Sequence, residues 1–265
     1  MLAAHGADVT VDWMPNALAA REAGVPMVNI AQVFDRSRLM RTCRRSRGVG
    51  TPKDPKGKTL GVWSGGNEYP FQSWMGSLGY RTSGAAPDVK VLKQGFNVDP
   101  LLQNQAARIA TMLYNEYRQV VDAGIKPAGL VNSARQEQGA ATLEDGLHAR
   151  EPDLKDPAYV AKLAKFVEAS LTGSEYALKN QDEAVKIVLA ADMSGAATSA
   201  WQKRRLENIA KPITAAGKPT MGELDPAAYQ RTVKVLLAGG SDPVIKKDPG
   251  LAARTHAVRD KAMGK

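Results

Sequence analysis

The chain has 265 residues, 43% of them hydrophobic, with 36 Lys and Arg against 27 Asp and Glu, three His, one Cys and a net charge of +9. This suits one large or two small cored domains and excludes a disordered or fibrous chain. The lone Cys43 excludes a disulfide framework and a cysteine-rich metal cluster, and no apolar run approaches the ~20 residues that cross a bilayer.

Met1 is followed by "HGADVTV", without a basic or an apolar leader region, so a signal peptide is expected to be missing or already removed. The run "DVTVDW" reads as a strand that ends in Asp12 and Trp13, followed by a helix closed at Gly24. "PMVNIAQVF" reads as a second strand. In "RSRLMRTCRRSRG" six arginines crowd together: Arg36, Arg38, Arg41, Arg44, Arg45 and Arg47. The aromatic interleaving of a nucleic-acid platform is missing, so the cluster is expected to be a solvated face and no nucleic-acid partner is assigned. Cys43 within it is expected to be buried or inert.

Past the polar junction "RGVGTPKDPKGK", "KTLGVW" reads as a strand that runs through Ser64, Gly65 and Gly66 into a helix with Pro70 in its first turn. "VKVL" and "RIATMLY" are further strands, and Gly79 and Gly124 close helices. Asp-Pro pairs at Asp99-Pro100, Asp156-Pro157 and Asp225-Pro226 mark helix starts, since the carboxylate caps free amides and proline has no N–H to lose. In the helix after Asp156, a stripe of Tyr159, Leu163, Phe166, Val167 and Leu171 is expected to pack on a core. Residues after about 150 read as almost wholly helical. The expected class is therefore α/β with mostly parallel sheets, divided as 1–50, 51–140 and 141–265, with the last part returning to the first.

Candidate binding groups gather where strands end. Trp63, Asn67, Glu68 and Tyr69 follow one strand, Asn115 and Glu116 another, and Asp12 and Trp13 a third. Ligands in open α/β sheets sit beyond such ends, and aromatic faces beside a carboxylate suit a flat, amino-bearing heterocycle. Each aromatic taken singly reads as core packing. The segment is neither a Walker loop nor a dinucleotide-binding glycine pattern. His148 reads as a surface residue on a strand edge.

"GADVTVDWMPNALAAREAGVPMVNIAQVF", "GVGTPKDPKGKTLGVWSGGNEYPF", "MLYNEY", "ATLEDGL" and "LDPAAYQRTVKVLLAGGSDPVI" resemble the substrate-binding proteins of ABC importers, in the branch of thiamine-pyrimidine-precursor binders and fungal pyrimidine synthases. The resemblance implies a two-lobed periplasmic-binding-protein fold of type II that closes over its ligand by a hinge. It also implies an incomplete first lobe, because relatives carry a signal peptide and further cleft elements before "GADVTVDW". Carried over onto this sequence, it implies ligand contacts at Asp12, Trp13, Trp63, Asn67, Glu68, Tyr69, Asn115 and Glu116. Glu144 and Asp145 fall where the chain crosses between lobes, as ligand contacts or as hinge residues. The implied partners are a small-molecule ligand and a membrane permease, on the periplasmic or extracellular side. The implied ligand is thiamine-precursor-like, with riboflavin-like compounds, sulfonate or nitrate as alternatives. The synthase branch implies a cofactor-binding lysine, a donor histidine and a cysteine-rich metal motif. With only Cys43, and with His5, His148 and His256 scattered, no catalytic residue, cofactor or metal site is assigned.

Overall fold

The computed structural model describes residues 2–34, 37–47, 54–134, 139–195, 197–213, 221–238 and 243–265. Among them run eight strands: β1 (Thr10–Trp13), β2 (Met27–Gln32), β3 (Leu39–Arg44), β4 (Thr59–Val62), β5 (Lys90–Lys93), β6 (Ile109–Met112), β7 (Leu130–Ala134) and β8 (Asp145–Arg150). The helices are α1 (Met14–Glu22), α2 (Tyr69–Ser77), α3 (Asp99–Leu102), α4 (Glu116–Asp122), α5 (Pro157–Lys179), α6 (Gln181–Ala190), α7 (Ser199–Ile213), α8 (Pro226–Leu237) and α9 (Ala257–Ala262). The fold is mixed α/β with a helical C-terminal region.

The sheets are not mostly parallel. β8 lies between β1 and β2 and is antiparallel to both. β3 lies between β6 and β7, again antiparallel to both. Only β4 and β5 form a parallel ladder among the described strands. A parallel bridge at Leu60 and Arg108, with Ala107 N–H donating to Thr59 O and Gly61 N–H to Arg108 O, joins β4 to the segment entering β6. The second sheet therefore reads β5-β4-β6-β3-β7. The reason for the difference is topological. β3 and β8 are the strands reached when the chain passes from one sheet to the other, and each inserts as a middle strand running against its neighbours.

β3 occupies the arginine-rich segment, which corrects the expectation of a solvated face. Leu39, Arg41, Thr42 and Cys43 are all buried. Arg41 donates from Nη1 to Gly61 O, and its guanidinium carbon lies 4.5 Å from the Phe71 ring centroid. A carbonyl and an aromatic face thus offset part of the cost of burying the charge. Arg45 and Arg47 are exposed, Arg38 and Arg44 are half-buried, and Arg36 lies outside the described residues. Cys43 is a buried thiol outside any disulfide, pushed up mainly by burial.

Helices cover both sheets. Leu163, Ala164, Val167 and Leu171 of α5 pack with Val258 of α9 on Val28, Ile30, Leu147 and Ala149 of the first sheet. Phe166, expected in that stripe, is instead 49% exposed, because the buried row follows the spacing 163, 167, 171 and leaves position 166 at its rim. Met14 and Leu18 of α1 join Ala228, Tyr229, Val233 and Leu236 of α8 in a neighbouring cluster. On the second sheet, Phe71, Trp74 and Met75 of α2 cover Leu60 and Val62, while Leu101 and Val120 pack with Ile109 and Leu130.

Two of the three Asp-Pro signals act as N-caps. Asp156 accepts from Ala158 N–H at 2.8 Å, and Asp225 from Ala227 and Ala228 N–H at 3.0 and 3.3 Å. Asp99 instead falls inside the first turn of the short α3. Asp225→Ala frees two amides and should cost about 1 kcal/mol, read as a lower urea midpoint at unchanged slope. Gly24, Gly79 and Gly124 follow α1, α2 and α4 at positive φ, as expected for helix ends.

Candidate functional site

Four segments meet where the two sheets approach each other. The end of β1 brings Asp12 and Trp13, the turn after β4 brings Trp63 and Gly66, the end of β6 brings Tyr114 to Glu116, and the entry to β8 brings Glu144 and Asp145.

At the first of these, Asp12 Oδ1 accepts from Trp13 N–H at 2.9 Å and Oδ2 from Asn16 Nδ2 at 2.6 Å. The Asn16 side chain lies against Gly66, whose φ is +101°: a Cβ at Gly66 would stand 2.5 Å from Asn16 Cβ. The Ser64-Gly65-Gly66 turn thus closes directly onto the start of α1, and only glycine permits both that conformation and that approach. Glu68 serves the turn itself, since its Oε2 accepts from Gly66 N–H at 2.8 Å.

Trp13 and Tyr114 pack against one cluster of Leu39, Trp63, Ala110 and Met112, so three of the aromatics share a contact region. Trp63 is buried with its Nε1 donating to Gly95 O at 3.1 Å, and its ring lies 6.0 Å from that of Phe96, which is 78% exposed. Tyr69 does not join them. It packs instead on the cluster of Met14, Leu18 and Tyr229. Asn67 is half-buried in the same turn.

Glu116 begins α4 and is buried. Its Oε2 accepts from Met112 N–H at 3.0 Å and its Oε1 from Asn115 Nδ2 at 2.6 Å. Glu144 is buried on the other side, its Oε1 accepting from Arg38 N–H at 2.6 Å. Gln32 fixes this corner of the chain by donating from Nε2 to Phe34 O, Glu144 O and Asp145 O. Asn29 donates to Gln32 Oε1, and a Cβ at Gly146 would lie 2.5 Å from both side chains.

The carboxyl groups share a poorly solvated space. Burial pushes Glu144 up to about 7 against the pull of the Arg38 amide, and it also raises Asp12, Glu116 and Asp145. The Tyr114 phenol is raised first by burial and then by the charges of Glu144 and Asp145, with Arg205 of α7 opposing. Arg205 likewise draws Glu116 down. The arrangement favours a ligand that presents N–H donors or positive charge, because acceptors here already crowd one another.

The sequence named Asp12, Trp13, Trp63, Asn115, Glu116 and Glu144, with Asp145 as a contact or hinge residue beside Glu144, and these do come together; it left Tyr114 out of the contact set. The "YNEY" pattern carried that signal. Arg205 sits in an ordinary amphipathic helix, and nothing local to its sequence links it to β6. His148 is a correction. It lies buried on the central strand β8, with Nδ1 3.1 Å from Gly146 O and Nε2 3.4 Å from Asn29 Nδ2. Because β8 inserts between β1 and β2, those two take the outer positions, and burial holds the imidazole down at about 4. Arg205 also lines cavities outside this cluster. These adjoin each other between α6 and α7, and another, of about 420 Å³, lies between α1 and residues 245–249.

Solved structures define the class of fold. A protein from Bordetella bronchiseptica RB50 superposes with a TM-score of 0.69 at 16% identity, over 98% of this chain and 81% of that one. The putative periplasmic sulfonate-binding protein SsuA from Methylobacillus flagellatus KT does so at 0.60 and 12% identity, over 99% and 76%. The desulfurization enzyme DSZB reaches 0.57 at 10% identity, over 97% and 86%. The fold is that of type II periplasmic binding proteins, shared by binders and at least one enzyme. Residues 1–184 match the family model described as NMT1/THI5 like, and the chain belongs to that family. No curated protein sequence matches it.

Proposed function

We propose that the chain is the solute-binding component of an ABC importer, which holds a small, flat heterocycle between two α/β lobes and passes it to a membrane permease without chemistry. In this reading the described residues up to 34 and from 141 onward make one lobe, and β3, expected in the first lobe from the division at residue 50, falls in the other. The other comprises β3 to β7, and the Gly66–Asn16 contact is the closing point between them. The observation that carries this reading is the meeting of Trp13, Trp63 and Tyr114 with Asp12, Glu116, Glu144 and Asp145 at four strand ends. The solute is an amino-bearing pyrimidine of the thiamine-precursor type, since ring faces can stack it and raised carboxyls can accept its N–H groups. A bare anion such as a sulfonate or nitrate would meet four acids. The site lies on the periplasmic or extracellular side, where importers of this kind collect solute.

Thermal unfolding with an aminopyrimidine, riboflavin, taurine and nitrate tests this. At a hundredfold excess over Kd, binding to the native state adds about 2.7 kcal/mol, a rise in Tm of roughly 5 °C or more. The rise should come with the aminopyrimidine and disappear in Glu116→Gln. A rise with taurine or nitrate alone, or one indifferent to Glu116, would count against the reading.

A further inference from the structure

We infer that the groove between α6 and α7 is a second ligand site, adjoining the cluster described above through Arg205, that takes a small flat organic monoanion. Two adjoining cavities, of about 250 and 480 Å³, share Val188, Gln202 and Arg205 in their walls. The smaller is otherwise apolar, with Ala184, Val185, Leu206 and Ile209 among its walls, while the larger adds the Trp201 side chain.

The case rests on three consecutive cations of α7. Lys203 is paired with Asp182 at 2.7 Å, and Arg204 with Asp122 at 3.0 Å. Arg205, which lines both cavities, has no carboxylate ion-pair partner among the described residues. Its guanidinium carbon lies 5.3 Å from the Trp201 ring centroid, Nη1 reaches Gln202 Oε1 only at 3.4 Å, and Nε is buried without a hydrogen bond. The acid in the cavity wall does not serve it. Asp192 is occupied by Ser194 N–H and Oγ–H and by Ala197 N–H. A partly desolvated guanidinium fork beside an indole face and an apolar wall matches the planar carboxylate and ring of an aromatic acid. Such a ligand supplies the direct ion pair that Glu116, which acts on Arg205 only at longer range, does not make. The inference stands whether or not the importer reading holds.

Titration calorimetry with benzoate and its uncharged isostere benzamide tests it on the full chain. One equivalent of benzoate should bind, and at least tenfold more weakly to Arg205→Gln, with benzamide also at least tenfold weaker on the wild-type protein. Arg204→Gln removes the same charge from the same helix and should leave the benzoate affinity within twofold. The benzoate-induced change in tryptophan fluorescence should vanish in Trp201→Phe, which places the ligand in this cavity. Absence of benzoate binding to the folded wild-type protein, equal weakening in the Arg204 and Arg205 variants, or an unchanged fluorescence response in Trp201→Phe would each overturn the inference.

Discussion

Gly66→Ala should destabilise the protein by about 2–5 kcal/mol, whereas Gly65→Ala, one residue earlier in the same turn, should cost only about 1–2. Both glycines have positive φ, +84° at Gly65 and +101° at Gly66, so both substitutions carry the backbone penalty of an L-residue there. Only at Gly66 does the added carbon meet something. It would lie 2.5 Å from Asn16 Cβ, while nothing stands within 4 Å of the corresponding position at Gly65. That overlap adds the cost of overpacking, about 1–3 kcal/mol. Asn16→Ala cannot relieve it, since the nearest atom is the Cβ that alanine keeps. Urea midpoints of the two variants compare the effects directly. In the proposed function the same contact closes the lobes, so the aminopyrimidine-induced rise in Tm should survive Gly65→Ala and be lost in Gly66→Ala. Equal costs for the two variants would mean that the turn gives way and that the contact with α1 holds nothing.

That turn was legible in the sequence because its signal is local. Ser-Gly-Gly after an apolar run, with proline in the next turn, specifies a strand end, a glycine-permitted bend and a helix start without reference to anything distant. The caps at Asp156 and Asp225 were legible for the same reason. What escaped were the features that depend on a partner far along the chain. β3 is hidden by its arginines, because Arg41 is accommodated in the interior by groups such as Gly61 O and the Phe71 face, both from segments that sequence proximity does not associate with it. The antiparallel pairing of β8 cannot be read from "DGLHAR", since a strand's hydrophobic pattern fixes its faces but not which neighbours it enters between. Tyr69 shows the limit for the site. It stands in the right motif, yet the helix it opens turns it onto Met14 and Tyr229 instead of toward Trp63.

Glu144→Gln should leave stability unchanged near pH 4 and raise it by roughly 3 kcal/mol by pH 8. Burial holds the Glu144 carboxyl at about 7, above its ordinary 4.5, so the folded protein keeps this proton after the unfolded chain has released it. Where the folded state binds more protons, stability falls with pH. The loss begins near pH 4.5 and is complete just above 7. Glutamine is neutral throughout, and its Oε1 can still accept from Arg38 N–H, so it removes the penalty and keeps the contact.

His148 works in the opposite sense over an overlapping range. Held near 4, below its ordinary 6.5, it binds its proton first in the unfolded chain, so stability falls as pH drops from 6.5 toward 4. Its Nδ1–H donates to Gly146 O while Nε2 accepts from Asn29, whose amide is oriented by Gln32, and a protonated ring could not make that second bond. Between pH 4.5 and 6.5 the two groups largely cancel in the wild-type protein. Removing Glu144 should therefore expose the histidine, so that stability of Glu144→Gln climbs through this window by up to about 1.4 kcal/mol more per pH unit than in the wild type. His148→Gln should tilt the other way. Urea midpoints at pH 4, 5.5, 6.5 and 8 would show both, and a Glu144→Gln difference that is the same at every pH would mean that the carboxyl is solvated in the folded protein. A solute that donates hydrogen bonds into this corner offsets the same penalty, so its binding should strengthen as pH rises through 7, where an anion's should weaken.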